Sequence, residues 1–134
     1  MLHVRRAEEK DSKDIFDWRN DELTRQMSHT IDLVEWDGHS KWFSSSLTNE
    51  NRLLVVCQKK ITSEKVAVVR FDLMKDRALI SINLSPLMRG KGKAKNCLKE
   101  AIQFFTAAYP KVSSIDAEIK SVNLASKSTF EGVE

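Results

Sequence analysis

A short basic segment with two glycines is the part of this 134-residue chain best suited to chemistry. It follows an alternating, strand-like run and opens an amphipathic helix. Glycine permits backbone conformations and close ligand approach that a β-carbon blocks, while the free amides at a helix start carry the positive end of its dipole. The segment therefore predicts a site for a phosphate group. Its members are Arg89, Gly90, Lys91, Gly92, Lys93 and Ala94.

The strand before this segment has two different faces. Ile80, Ile82 and Leu84 alternate with Ser81 and Asn83, which is the period-2 pattern of a strand between two environments. Pro86 then ends the strand, because it has no N–H to donate to a sheet. The alternative to a phosphate site is a solvated basic turn that only connects a strand to a helix. The segment is neither a Walker A loop nor a GxGxxG motif.

The order of strand, proline, Arg-x-x-Gly-x-Ala and helix resembles the acetyl-CoA-binding motif of the GNAT superfamily of N-acetyltransferases. Arg89, Gly92 and Ala94 stand at the motif's defined positions. The resemblance implies that acetyl-CoA is the co-substrate, with no metal. It also implies that amides from about Lys91 to Ala94 hold the pyrophosphate, and that open backbone from Leu84 to Pro86 pairs with the pantetheine arm.

The end of the chain extends this resemblance. Asn123-Leu-Ala-Ser126 is similar to a family segment whose asparagine contacts CoA. Many members carry a tyrosine farther along this helix that protonates the departing thiolate, and here the position is Phe130, which has no proton to give. Ser126 or a water molecule is then the expected acid.

Three other segments resemble one branch of the superfamily, the sugar-nucleotide N-acetyltransferases of pseudaminic acid biosynthesis. They are Arg6-Ala7 with Asp11, Trp18-Arg19-Asn20 and His39-x-x-Trp42-Phe43. Those enzymes acetylate the 4-amino group of a UDP-linked amino sugar. Ribosomal-protein N-terminal acetyltransferases share part of the pattern, so a peptide acceptor stays open. The acceptor site is expected to include Arg19, Asn20, His39, Trp42, Ser81 and Asn83.

The expected reaction is direct transfer of the acetyl group to a neutral primary amine, with no covalent enzyme intermediate. His39 is the first candidate for the general base and Glu118 the second. A lone histidine among aromatic residues is more often a packed, hydrogen-bonded side chain, so a structural role for His39 also stands. A further alternative is a catalytically inactive domain that only binds CoA.

Composition limits the class of protein. With 41% hydrophobic and 31% charged residues, the chain fits one globular domain over residues 1–134. A net charge of +3 is too mild to indicate nucleic-acid binding. Cys57 and Cys97 have neither metal-ligand spacing nor a disulfide framework, which favours free thiols. The absence of a signal-like or membrane-spanning run led us to expect a cytoplasmic protein with no membrane partner.

The hydrophobic pattern predicts a mixed α/β domain of the α+β class. The first two predicted elements are a strand to about Arg6 and a helix capped by Asp11, and the others follow in order. These are a helical region from Ile31 to Leu47, strands Leu53–Gln58, Val66–Asp72 and Ala78–Leu84, a helix from Ala94, a strand Ser114–Ile119 and a helix Asn123–Glu131. The resemblance implies a three-layer GNAT domain with a mostly antiparallel central sheet flanked by helices, here lacking the last two strands. Either the protein is truncated, or a second chain completes the sheet, which leaves a homodimer open.

Overall fold

The computed structural model describes residues 2–20, 35–88 and 92–117. These residues form five strands and three helices. The strands are β1 (Leu2–Arg6), β2 (Arg52–Lys59), β3 (Lys65–Met74), β4 (Arg77–Leu84) and β5 (Ser114–Ala117). The helices are α1 (Ser12–Asn20), α2 (Trp36–Thr48) and α3 (Lys93–Ala108). Short 3₁₀ turns lie at Glu9–Asp11 and Pro86–Met88.

The strands form one sheet in the order β1-β2-β3-β4-β5. The first four are antiparallel to their neighbours, while β5 pairs with β4 in parallel. Short turns suffice for the antiparallel neighbours, whereas the parallel pair needs a crossover, and α3 supplies it. The predicted meander and the helix-linked parallel pair are therefore confirmed, and with them the mixed α+β class.

Each face of the sheet packs against different helices, because alternate side chains point to opposite sides. On one face, Val55, Val69 and Ile80 pack with Leu98 and Phe105 of α3 in the larger core. On the other face, the smaller core joins α1 and α2 to the sheet. Its members are Ala7, Ile15, Trp18, Phe43, Leu54, Val56 and Val68. The result is three layers with the sheet in the middle.

Asp11 was predicted to cap α1, but it lies in the 3₁₀ turn before the helix and anchors that turn through ion pairs. Its buried carboxylate accepts from the Glu8 amide at 2.8 Å and pairs with Arg5 and Lys65, also at 2.8 Å. The carboxylate therefore binds β1 and β3 to the turn before α1. The predicted helix from Ile31 is described from Trp36, and the predicted last helix lies outside the described residues.

Candidate active site

Strand β4 places its polar side chains on the face covered by α1 and α2. Ser81 lies opposite Arg70 of β3, and Asn83 lies opposite Val68, which belongs to the smaller core. Cross-strand partners share a face of the sheet. Leu84, opposite Ala67, faces α3 instead. One strand therefore carries polar groups towards α1 and apolar groups towards α3, as the alternation predicts.

The end of β4 leads directly to the predicted anion site. The Ser85 amide still donates to the Val66 carbonyl at 2.8 Å, and Pro86 then opens the 3₁₀ turn. The described pairing with β5 runs from Arg77 to Ile80 of β4. The backbone from Ser81 to Leu84 thus pairs only with β3 within the described part of the chain.

Gly92 caps the N-terminus of α3 in a left-handed conformation, with φ 68° and ψ 21°. A β-carbon built on Gly92 would meet no atom within 4 Å, so open space adjoins the first turn of the helix. This 16-residue helix has no acidic side chain in its first turn. Open space, free amides and the helix dipole suit a pyrophosphate, so the residues present fit acetyl-CoA.

Positive charge is found beside the start of this helix, on Lys93 and on Lys59 and Lys60 across a groove. An open groove of about 740 Å³ lies between the helix and the turn that joins β2 to β3. Lysines and uncharged polar groups line most of it, together with Glu100. Its lining residues are Leu2, Lys59, Lys60, Ile61, Thr62, Lys93, Asn96 and Glu100. Lys93 therefore belongs to both the anion segment and the groove.

His39 lies fully buried between α1 and α2. Its Nε2 is 2.9 Å from the Ser12 carbonyl oxygen, and its Nδ1 is 3.0 Å from Nη1 of Arg19. A guanidinium only donates, so Nδ1 must accept and Nε2–H must donate to the carbonyl. Burial, reinforced by the charge on Arg19, lowers the pKa of His39 despite the hydrogen bond to Ser12. His39 is therefore neutral at pH 7, and the lone pair that a general base needs is already used.

Four aromatic rings surround His39, which explains how its position is fixed. The ring centroids of Phe16, Trp36, Trp42 and Phe43 lie 5.4 to 5.9 Å from that of the imidazole. Phe16 comes from α1 and the other three from α2. This environment fits a packed, hydrogen-bonded histidine with a structural role better than it fits the predicted general base.

Arg19 lies half-buried beside His39, with its guanidinium carbon 4.6 Å from the centre of the Trp42 ring. Burial lowers the pKa of Arg19, and repulsion from Arg70 lowers it further. The structure therefore brings together Arg19, His39 and Trp42, and Arg70 and Ser81 face the side of the sheet that α1 and α2 cover.

Arg70 was missed by the sequence analysis, together with its partner Asp72. The Asp72 carboxylate lies 3.0 Å from Nε of Arg70 and 2.6 Å from Nε of Arg52. Arg52 lies 5.7 Å from the centre of the Trp42 ring. An arginine in the middle of the apolar run Val66–Phe71 was the available signal, since arginine in a buried strand is usually paired.

Comparison with known proteins decides the family. The model of the family described as acetyltransferase (GNAT) domain matches residues 1–133. The chain belongs to the GNAT acetyltransferase family. It is therefore an acetyl-CoA-dependent N-acetyltransferase, and the predicted family and enzyme class are confirmed. No curated protein compared with this acetyltransferase matches it in sequence.

Solved structures share the fold of this GNAT acetyltransferase. A domain from Methanocaldococcus jannaschii DSM 2661 is 20% identical with a TM-score of 0.83, over 99% of this chain and 86% of that one. Spermidine N-acetyltransferase from Vibrio cholerae, in complex with CoA and spermine, is 15% identical with a TM-score of 0.85, over 98% and 79%. Aminoglycoside acetyltransferase AAC(6')-Ib, in complex with coenzyme A and kanamycin, is 14% identical with a TM-score of 0.83, over 99% and 83%.

Several predicted site residues lie outside the described part of the acetyltransferase. They are Arg89, Gly90, Lys91, Glu118, Asn123 and Ser126. Within the described ranges, Leu84, Pro86, Gly92, Lys93 and Ala94 follow one another from the end of β4 into α3. Asn20 is the last residue of α1 and directly follows Arg19.

Two general features of the described residues can also be stated. No helix in residues 2–20, 35–88 or 92–117 is long and apolar enough to cross a membrane. The same ranges contain no cluster of His, Cys, Asp or Glu side chains placed to hold a metal ion.

Proposed function

We propose that this acetyltransferase moves the acetyl group of acetyl-CoA to the primary amine of a small molecule. The observation that carries the proposal is the course of β4, which presents Ser81 and Asn83 towards α1 and then leads to the glycine-capped start of α3. A single strand thus connects a polar acceptor side with an anion site. Two neighbours of the same fold are a spermidine and an aminoglycoside acetyltransferase, so small-molecule amines suit this architecture.

The chain's own groups have separate tasks in this reaction. Amides at the start of α3, from Gly92 to Ala94, are proposed to hold the pyrophosphate of CoA, and the backbone from Leu84 to Pro86 the pantetheine arm. Ser81 and Asn83 are proposed to orient the acceptor. Acetyl-CoA supplies the thioester: the amine nitrogen bonds to the carbonyl carbon, the C–S bond breaks, the nitrogen loses a proton and the thiolate gains one.

The positive charges near Ser81 contribute to the reactivity of the amine. An amine attacks only when it is neutral, and neighbouring guanidiniums disfavour its ammonium form. Arg70 lies opposite Ser81, and Arg19 is close to Arg70. Asp72, 3.0 Å from Arg70, offsets part of this effect, so the reaction still needs a base. Because Nδ1 of His39 already accepts a hydrogen bond, Glu118 remains the proposed base, and Ser126 or water the proposed acid.

The acceptor that we favour is the 4-amino group of a UDP-linked amino sugar. The residues Arg19, Trp42 and His39, which carry the resemblance to that branch, lie together in the structure. A peptide N-terminus is the second candidate. A cytoplasmic location fits a nucleotide-sugar substrate and remains a prediction.

Calorimetric titration with acetyl-CoA tests the cofactor site first. Desulfo-CoA and ATP serve as controls, because only the former has a pantetheine arm. We expect micromolar binding of acetyl-CoA and desulfo-CoA and much weaker binding of ATP. Equal binding of ATP would show that the site recognises phosphates alone.

Thiol release from acetyl-CoA then tests the transfer. The acceptor panel contains UDP-linked amino sugars, amino acids, spermidine, kanamycin and peptides with free N-termini. Transfer to an amine of any kind supports the enzyme, whereas tight CoA binding without transfer would favour the inactive domain.

A further inference from the structure

We propose that the acceptor amine carries an anionic group, a carboxylate or a phosphate, which Arg19 binds and which His39 helps to recognise by positioning Arg19. The inference rests on the proposed function and narrows its substrate class. It begins from an unusual property of Arg19: a half-buried guanidinium that lacks a carboxylate partner among residues 2–20, 35–88 and 92–117.

A partly buried charge without a counter-ion is costly, because desolvation weakens its hydration and no ion pair replaces it. Arg19 contacts a neutral imidazole and the face of an indole. The nearby charge that affects it, on Arg70, is of the same sign. A ligand anion bound there would form an ion pair with Arg19, which would offset the cost of its desolvation and its repulsion by Arg70.

The geometry of Arg19 leaves donors for such an anion. A guanidinium has five N–H groups in a planar fork that matches a carboxylate or phosphate with two parallel hydrogen bonds. Among the described residues, Nη1 alone has a hydrogen-bond partner, the Nδ1 atom of His39. The guanidinium carbon lies 4.6 Å from the centre of the Trp42 ring, and this cation–π contact helps to hold the fork in place.

His39 acts through Arg19 and is therefore a positioning residue. Its Nε2–H donates to the Ser12 carbonyl, which fixes the tautomer that leaves Nδ1 as an acceptor. Within the described residues, the charged group that acts on His39 is Arg19 on α1, and Arg19 is in turn affected by Arg70 on β3. An asparagine at position 39 could still accept from Arg19, whereas a phenylalanine could not.

Arg19 lies on the proposed acceptor side of the sheet, away from the proposed CoA site. It lies on α1, on the side of the sheet towards which Arg70 and Ser81 also point. The glycine-capped anion site begins α3, which packs on the opposite face. Two separate anion sites follow, one for each substrate.

Binding of inorganic phosphate tests the site without any activity. Because Trp42 lies under the guanidinium, its fluorescence should report an anion bound to Arg19. We expect a saturable change when CoA-saturated wild-type protein is titrated with phosphate, and its loss in Arg19→Gln. Arg6→Gln is the matched control, since Arg6 is exposed and its β2 partner Val55 belongs to the larger core. No saturable change, or the same change in Arg19→Gln, would overturn the proposal.

Acceptor kinetics supply the second readout. Glucosamine 6-phosphate is compared with glucosamine, and methionine with methioninamide, so that each pair differs in one anionic group. We expect the anionic member of at least one pair to be preferred, and Arg19→Gln to raise its KM by about tenfold or more while the Kd of acetyl-CoA is unchanged. His39→Phe should raise the same KM, and His39→Asn should restore it.

The outcomes separate this inference from the proposed function. Transfer that favours glucosamine, methioninamide or spermidine, with no effect of Arg19→Gln, would overturn the anionic acceptor while the enzyme stands. A phosphate response that requires Arg19, in a protein that acetylates none of these amines, would support the anion site and remove the proposed transfer to them.

Discussion

The Arg5 guanidinium and the Asp11 carboxylate form a two-point ion pair, with Nη1 2.8 Å from Oδ2 and Nη2 2.8 Å from Oδ1. Lys65 adds a third contact to the same carboxylate at 2.8 Å. Through Asp11, the first strand, the first helix and the third strand are joined at one buried point. Arg19 lies on that same helix, so this cluster also supports the candidate acceptor side.

Asp11→Asn should destabilise the domain strongly. The substitution leaves Arg5 and Lys65 facing a neutral amide, and breaking one side of a buried pair costs about 3 kcal/mol. Urea unfolding of the wild type and the variant measures the loss. The matched control is Asp17→Asn, because Asp17 forms an exposed pair with Lys13 at 2.9 Å. A similar loss of stability in both variants would show that burial does not increase the contribution of the Asp11 pair to the free energy of unfolding.

Stability should fall as the pH drops below neutrality. Burial and the charge of Arg19 lower the pKa of His39 from 6.5, so the unfolded chain takes up this proton more readily than the folded one. Stability contributed by neutral His39 is therefore full above pH 6.5 and is lost as the pH falls towards the folded pKa. Urea unfolding at about pH 7.5 and about pH 5.5 measures the loss. In His39→Asn the difference should shrink, and an unchanged difference would contradict this assignment.

A second loss of stability should begin at lower pH. Burial alone would raise the pKa of Asp11, but hydrogen bonds from Arg5 and Lys65 outweigh it and hold the value far below 3.8. The unfolded chain again binds the proton first, so this contribution is present above pH 3.8 and disappears below it. Acid unfolding followed by circular dichroism should show a transition that Asp11→Asn reduces. A transition of the same size in the variant would assign the acid sensitivity to other carboxyl groups.

Gly92→Val should weaken acetyl-CoA binding by about tenfold or more without unfolding the domain, at a strain of about 1–2 kcal/mol for the left-handed backbone. Its side chain would fill the open space beside the first turn of α3. Calorimetry measures the affinity and thermal melting the fold. Gly38 provides the control, since Gly38→Ala in α2 meets no atom within 4 Å. That variant should bind acetyl-CoA normally and gain about 0.5–1 kcal/mol of stability. Normal affinity in Gly92→Val would remove our placement of the pyrophosphate.

The two cysteine thiols should be unreactive in the native protein. Cys57 and Cys97 are free and buried, and the Cys57 thiol donates to the Cys97 carbonyl at 3.6 Å. The contact with the Cys97 thiol and burial raise the pKa of Cys57, which disfavours its reactive thiolate. Titration with a thiol reagent should detect neither group before denaturation and both afterwards. Rapid labelling of the native protein would contradict the buried pair, and it would also add a background to thiol-release assays.

Much of the fold follows from local hydrophobic patterns. The three strands predicted at Leu53–Gln58, Val66–Asp72 and Ala78–Leu84 are found within one or two residues of those bounds. Their apolar runs and short polar turns are enough to predict antiparallel neighbours. The apolar residues that recur at helical spacing, Cys97 among them, likewise predicted which side of α3 is buried.

The candidate site was predictable only in part. The glycine segment follows from a contiguous motif, and the sequence by itself determined the family, the order of elements and the two faces of β4. Only the tertiary structure decided that Arg70 faces the side of the sheet covered by α1 and α2, and that His39 uses both ring nitrogens to bind α1. The physical reason is that these relationships depend on strand register and on helix packing, which bring together residues distant in the chain, whereas periodicity reports only on neighbours.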